Sequence, residues 1–231
     1  MTTTPGNFKT NGRTVIGDTT IADFAAQLRG TLVQPGDPRY DEARTIYNAM
    51  IDKRPRFIAQ CADVADVIAA VHFGRENDLP VAIHGGGHNG PGFAMVDDGL
   101  VIDLSAMNAV RVDPESQTVR VEGGATWGDV DHAAHAFGLG TVSGIISTTG
   151  VGGLTLGGGH GYLTRKYGLT VDNLLGADVV LADGRLVQTS RDVHPDLFWA
   201  LRGGGGNFGV VTSFLFQAHP VDTVHAGPTF W

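Results

Sequence analysis

Residues 57–92 read FIAQCADVADVIAAVHFGRENDLPVAIHGGGHNGPG. Phe57-Ile58-Ala59-Gln60-Cys61 reads as a strand. Asp63 then serves as a helix N-cap with Asp66 at the third helical position, and Val64, Val67, Ile68 and Val71 recur at helical spacing. Leu79 to Ile83 forms the next strand. A strand, a helix and a second strand in so short a span require a crossover, so the sheet is parallel here. The second strand runs directly into His84-Gly85-Gly86-Gly87-His88.

Upstream, Thr19 caps a short helix with Ile21, Phe24, Ala25 and Leu28 on its apolar face, and 34–48 reads as a Pro/Gly turn ending in one helical turn. Downstream, Val101–Leu104 is a strand, and Ala109–Val112 with Thr118–Val121 flank the turn Asp113-Pro114-Glu115-Ser116. Thr126 opens a helix with Asp129 at its third position; Trp127, Val130, Ala134 and Phe137 share one face, and Gly138 is its C-cap. Ala177–Ala182 and Arg185–Thr189 bracket Asp183-Gly184, a hairpin signal. Asp196–Leu201 is helical, and Val210–Gln217 is a last strand. The fold class is therefore α+β: one βαβ unit followed by a mixed or antiparallel sheet with helices.

The chain has 34 glycines in 231 residues, yet 42% of it is hydrophobic and 17% charged, and no G-X-Y period is present. That excludes collagen and disorder. Sixteen Lys and Arg against 24 Asp and Glu give a net charge of -8, which argues against a nucleic-acid partner. Cys61 is the single cysteine, so no internal disulfide framework or Cys-rich zinc site is expected, and its apolar setting makes it a buried hydrophobe. Neither a signal pattern nor a membrane-length apolar run is seen, so the expectation is a soluble, cytoplasmic protein without a membrane partner.

Two windows fit G-x-G-x-x-G, Gly85–Gly90 and Gly204–Gly209, but neither sits between a strand and a following helix as a dinucleotide fingerprint must. No P-loop occurs. His84-Gly85-Gly86-Gly87 matches a hydrolase oxyanion loop, but no G-x-S-x-G accompanies it. His132 and His135 fall opposite the apolar helix face and read as solvated, so no metal is expected. What consecutive glycines do offer is backbone N–H groups with no Cβ to hold a ligand away, a concave anion site. Two such runs, 85–90 and 150–159, can clamp one diphosphate, whereas Gly123-Gly124 reads as an ordinary tight turn.

Four stretches in consistent order, VAIHGGGHNGPG (81–92), STTGVGGLTLGGGHGYLTRKYGLTVDNL (147–174), VLADGRLV (180–187) and DLFWALRGGGGNFGVVTSF (196–214), together resemble the FAD-binding domain of berberine bridge enzyme-like oxidoreductases, within the vanillyl-alcohol oxidase or PCMH-type flavoproteins. The resemblance covers about 54–220. It implies a PCMH-type FAD-binding domain over 54–221, of two α/β subdomains with FAD between them, after a helical or irregular N-terminal segment 1–53 and before the start of a connection, 222–231, to a substrate domain absent from this chain. The function implied is an FAD-dependent oxidase or dehydrogenase taking a hydride from an alcohol- or amine-bearing carbon of a small molecule, with dioxygen as a possible acceptor. The alternative is an FAD-binding module or fragment without turnover of its own.

The resemblance also places residues. His88 matches the histidine bonded to the flavin 8α-methyl; the alternative is a loop histidine with non-covalent FAD. Ile146 stands where many relatives carry a second, cysteinyl link, so a single 8α-histidyl bond is implied. The first cofactor loop is Gly85, Gly86, Gly87, His88 and Asn89. The second is Thr148, Thr149, Gly150, Gly152 and Gly153, with Gly157, Gly158, Gly159 and Gly161. Asn173 is assigned to neighbouring backbone or cofactor, Tyr162 and His160 to the flavin or substrate with a packing role for His160 as the alternative, and either Val179 or Val211 to the adenine. A protonated His84 would supply the charge that relatives carry as Arg or Lys. The catalytic base is expected in the absent domain, so no residue here is assigned to it.

Overall fold

The computed structural model describes residues 8–10 and 13–223. Most of the expected connection at 222–231 lies outside them. The chain begins with a two-stranded ribbon, β1 (Phe8–Thr10) and β2 (Arg13–Val15). Then come α1 (Asp18–Gln27), β3 (Thr31–Val33), α2 (Tyr40–Ala43), β4 (Phe57–Gln60), α3 (Val64–Glu76), β5 (Val81–His84) and β6 (Leu100–Asp103). The four-stranded sheet runs β3-β4-β6-β5. β4, β6 and β5 are parallel, as expected, but β6 lies between the two strands of the βαβ unit, and β3 pairs antiparallel to β4 from within the segment ahead of residue 54.

Alternation builds two cores on this sheet. Phe57, Ala59, Leu100 and Ile102 face α1 and α3, while Ile58, Val101 and Ala82 face a second cluster with Val33, Tyr40 and Met95. Strands covered on both faces explain why the sequence shows continuous apolar runs instead of alternation. In α1 the expected cap is displaced: Gly17 occupies the cap position, Thr19 lies in the first turn, Phe24 is buried and Ala25 is exposed.

The second half holds β7 (Val110–Asp113), β8 (Thr118–Glu122), α4 (Trp127–His135), β9 (Leu139–Gly140), α5 (Val151–Leu156), α6 (Thr164–Tyr167), β10 (Leu174–Val180), β11 (Leu186–Ser190), α7 (Pro195–Leu201), β12 (Val210–Gln217) and β13 (His219–Pro220). Its main sheet is antiparallel, in the order β11-β10-β12-β8-β7. Both expected hairpins form. Trp127, Val130 and Ala134 of α4 are buried against this sheet, with Trp127 5.6 Å from Phe216. Phe137, expected on the same face, lies past the helix end and is 51% exposed. His132 and His135 are exposed, as expected.

The two halves meet along backbone. A Cβ on Gly124 would lie 1.7 Å from Leu104 O, and one on Gly123 2.4 Å from Val211 O. These two glycines do form a turn, but contact between the halves keeps a side chain off Gly124, and the neighbouring strand β12 of the same half keeps one off Gly123. Val180 and Val210, at facing ends of β10 and β12, pack into the first half's core. The Asp183-Gly184 turn closes the joint from outside: Gly184 has φ +85°, and a Cβ there would strike His72 of α3.

Candidate cofactor site

β5 ends at His84, and the chain after it runs as irregular backbone along the seam. Gly86 touches the second half directly: a Cβ on it would lie 2.3 Å from Gly150 N, and a Cβ on Gly150 2.4 Å from Gly86 N. Gly87 has φ +66°, a conformation that favours glycine. Among the described residues, no protein acceptor receives the N–H groups of Gly85 to Asn89. Unpaired N–H groups beside a cavity need a partner, and an anion supplies one.

That cavity has a volume of about 720 Å³, within the usual range for ligand pockets. Gly85, Gly86, Gly87, His88 and Asn89 form one wall, and Thr149, Gly150, Gly152, Gly153 and Gly157 another. Leu104, Val211 and Phe214 supply apolar floor, and among the described residues no Lys or Arg lines it. Gly205, Gly206, Asn207 and Gly209 complete the wall; their run carries the family resemblance, but no role for it follows from strand or helix context.

Several expected site residues are placed differently. Gly152 and Gly153 belong to the helix α5 and not to a loop. Gly158, Gly159 and Gly161 do not line the cavity. The last two are needed for packing, since a Cβ would meet Thr170 Oγ1 at 2.2 Å and Ser143 O at 1.7 Å respectively. Asn173 is also off the wall: its Nδ2 donates to the carbonyls of Tyr167 and Leu169, and its Oδ1 lies 2.6 Å from His219 Nε2. Thr148 misses the cavity but touches His88, with Oγ1 3.0 Å from Nε2. Tyr162 and His160 are exposed and not part of the lining, and Val179 is in the core, leaving Val211 at the cavity.

His84 does not offer free charge. Its Nδ1 lies 3.0 Å from Oδ1 of the buried Asp103. Burial alone would raise the Asp103 carboxyl, but the hydrogen bond and charge of His84, with contacts from Ser105, outweigh it and hold the group below its ordinary value. A protonated His84 is therefore neutralised by its own partner. Cys61 is buried, its thiol pushed up by desolvation and by Asp66, Asp103 and Asp63. Ile146 is 47% exposed. Among the described residues no group of three His, Cys, Asp or Glu is placed to hold a metal.

Sequence reasoning missed Tyr47. Its ring stacks on His88 with centroids 4.1 Å apart, and its N–H donates to Gly87 O at 3.2 Å. The same segment grips the loop further on: Asn48 Nδ2 donates to Gly90 O, and Lys53 Nζ to the carbonyls of Gly92 and Met95. No periodicity or motif in 44–53 signals this.

A glycine-lined cavity at the seam of two mixed α/β halves is the architecture of a dinucleotide-cofactor domain. The FAD binding domain family matches residues 55–190, and the chain belongs to that family. It is 41% identical to (R)-6-hydroxynicotine oxidase of Paenarthrobacter nicotinovorans over 83% of this chain and 42% of the relative. Among solved structures, a berberine bridge enzyme-like protein of Physcomitrella patens superposes with a TM-score of 0.83 at 29% identity, covering 86% of this chain and 44% of that one. A glucooligosaccharide oxidase of Acremonium strictum, described as carrying a 6-S-cysteinyl, 8α-N1-histidyl FAD, gives a TM-score of 0.81 at 35% identity over 87% and 42% of the two chains. The chain spans less than half the length of these relatives. No helix among the described residues is long and apolar enough to cross a membrane.

Proposed function

We propose that this chain is the cofactor-holding part of an FAD-dependent oxidoreductase acting on a small molecule, with the flavin bonded once, through His88. The observation that carries the reading is the contact of Gly86 and Gly150, backbone on backbone, beneath a cavity whose glycine wall presents unpaired N–H groups. These residues fit FAD: the N–H groups of Gly85 to Asn89 would hold its diphosphate, and Leu104, Val211 and Phe214 would give its flat rings apolar contact. When bound, FAD supplies hydride acceptance from an alcohol- or amine-bearing carbon and electron delivery to dioxygen or another acceptor. The chain's own contribution is to bind, to exclude water at the seam and to hold His88 against Thr148. Ile146, with no thiol, supports a single link.

That the chain matches less than half of its relatives favours a second reading, in which it binds FAD without turning substrate over by itself. One preparation tests both. Purified protein is expected to show flavin absorbance that stays with the acid-precipitated polypeptide and to lose that retention in His88→Ala, which still binds FAD reversibly. Reduction of the bound flavin by an alcohol or amine separates turnover from binding alone. A colourless protein that takes up no added FAD overturns both readings.

A further inference from the structure

Two side chains from distant parts of the chain close on His88. Thr148 Oγ1 lies 3.0 Å from Nε2, and the Tyr47 ring stacks with its plane 18° from the imidazole. Tyr47 is 69% exposed, so core packing does not put it there. Its own N–H on Gly87 O, and the Asn48 amide on Gly90 O, tie its main chain to the loop on either side of His88. Among the described residues no hydrogen-bond partner reaches Nδ1, so a ring held at Nε2 and covered on one face has Nδ1 as its open nitrogen.

We infer that Thr148 and Tyr47 are positioning residues for attachment of the flavin, Thr148 by accepting Nε2–H and thereby placing the lone pair on Nδ1, and Tyr47 by fixing the ring plane. The inference rests on the covalent reading above. A neutral imidazole has two tautomers, and a partner on one nitrogen selects between them. A threonine hydroxyl can accept as well as donate. If it donated to Nε2, Nδ1 would carry the proton and have no lone pair to give. Overall, one C–H of the flavin 8-methyl and one imidazole N–H are exchanged for a C–N bond. Two protons and two electrons are released, and dioxygen takes them up as hydrogen peroxide.

The test follows the covalent incorporation of FAD into flavin-free protein in air, read by intact mass and by fluorescence of the denatured polypeptide. Thr148→Val is expected to slow incorporation on the order of tenfold to a hundredfold, the scale of losing an aligned reacting group, while keeping reversible FAD binding; Thr148→Ser restores the rate. Tyr47→Ala slows it and Tyr47→Phe does not. The flavin-bearing peptide of the wild type, analysed by NMR, carries the bond on Nδ1. Attachment through Nε2 overturns the inference whatever the variants do, and so does a wild-type rate in Thr148→Val. Should Thr148→Val bind no FAD at all, Thr148→Ala takes its place and the bonding nitrogen still decides. A wild type that binds FAD but never bonds to it defeats the covalent reading itself, and the inference with it. Normal bonding in the wild type with indifferent variants defeats the inference alone.

Discussion

At Gly86 the missing side chain is dictated by another backbone, because the space a Cβ would need is held by Gly150 N at 2.3 Å. Gly153 is the contrast: it lines the same cavity, yet nothing lies within 4 Å of its Cβ position, and it is helical. The two glycines look alike in sequence and do different things. Gly86→Ala is expected to part the two loops, costing roughly 1–3 kcal/mol of stability as an overpacking change. In a His88→Ala background, where binding is reversible, it should weaken FAD about tenfold, or 1.4 kcal/mol. Gly153→Ala should instead be neutral or stabilising by about 0.5 kcal/mol, since alanine favours a helix over glycine. Thermal midpoints and FAD titrations of the pair check both; equal behaviour would show that backbone contact does not set the cradle.

Between residues and folds, the helix starts show what local sequence can and cannot say. Thr126 and Asp129 form a complete capping box, so α4 is legible from four letters. At α3, Asp63 caps as expected, accepting from Ala65 N and Asp66 N, but Asp66 does not answer it. Its carboxylate instead accepts from Arg29 N at 2.8 Å, Gly30 N at 2.9 Å and Ala62 N at 2.8 Å, stapling the turn between α1 and β3 to the end of β4. Gly30 must be bare there, for a Cβ would strike Gln60 O. These partners are up to 37 residues away, beyond any local pattern. Asp66→Asn would set amide hydrogens against main-chain donors and is expected to cost about 3 kcal/mol, the scale of lost charge-assisted bonds; urea unfolding measures it, and a loss below 0.5 kcal/mol would deny the staple. For the same reason α5 hid inside a glycine run, where propensity is poor and burial of Val151 and Thr155 holds the helix. Tyr47 hid because its contact with His88 spans 41 positions without a pattern.

Over the whole molecule, an acidic protein is built to take up an anion. The net charge is -8, and the cavity wall has backbone dipoles where many anion sites have Lys or Arg. His84, the basic group at the head of the glycine loop, is matched by Asp103. On this charge balance, mutual repulsion is expected to slow the approach of a diphosphate. Salt shortens the reach of that repulsion, to about 10 Å at 0.1 M, while leaving the N–H contacts at the bottom of the cleft nearly untouched. The rate at which His88→Ala protein takes up FAD is therefore expected to rise by about twofold as salt goes from 10 to 300 mM, a reversal of the steep fall seen with electrostatic steering, and its dissociation rate should hardly move. Stopped-flow flavin fluorescence gives both rates. A steep fall in the association rate with salt would mean that basic side chains guide the cofactor, and the neutral-backbone account of this cradle would be wrong.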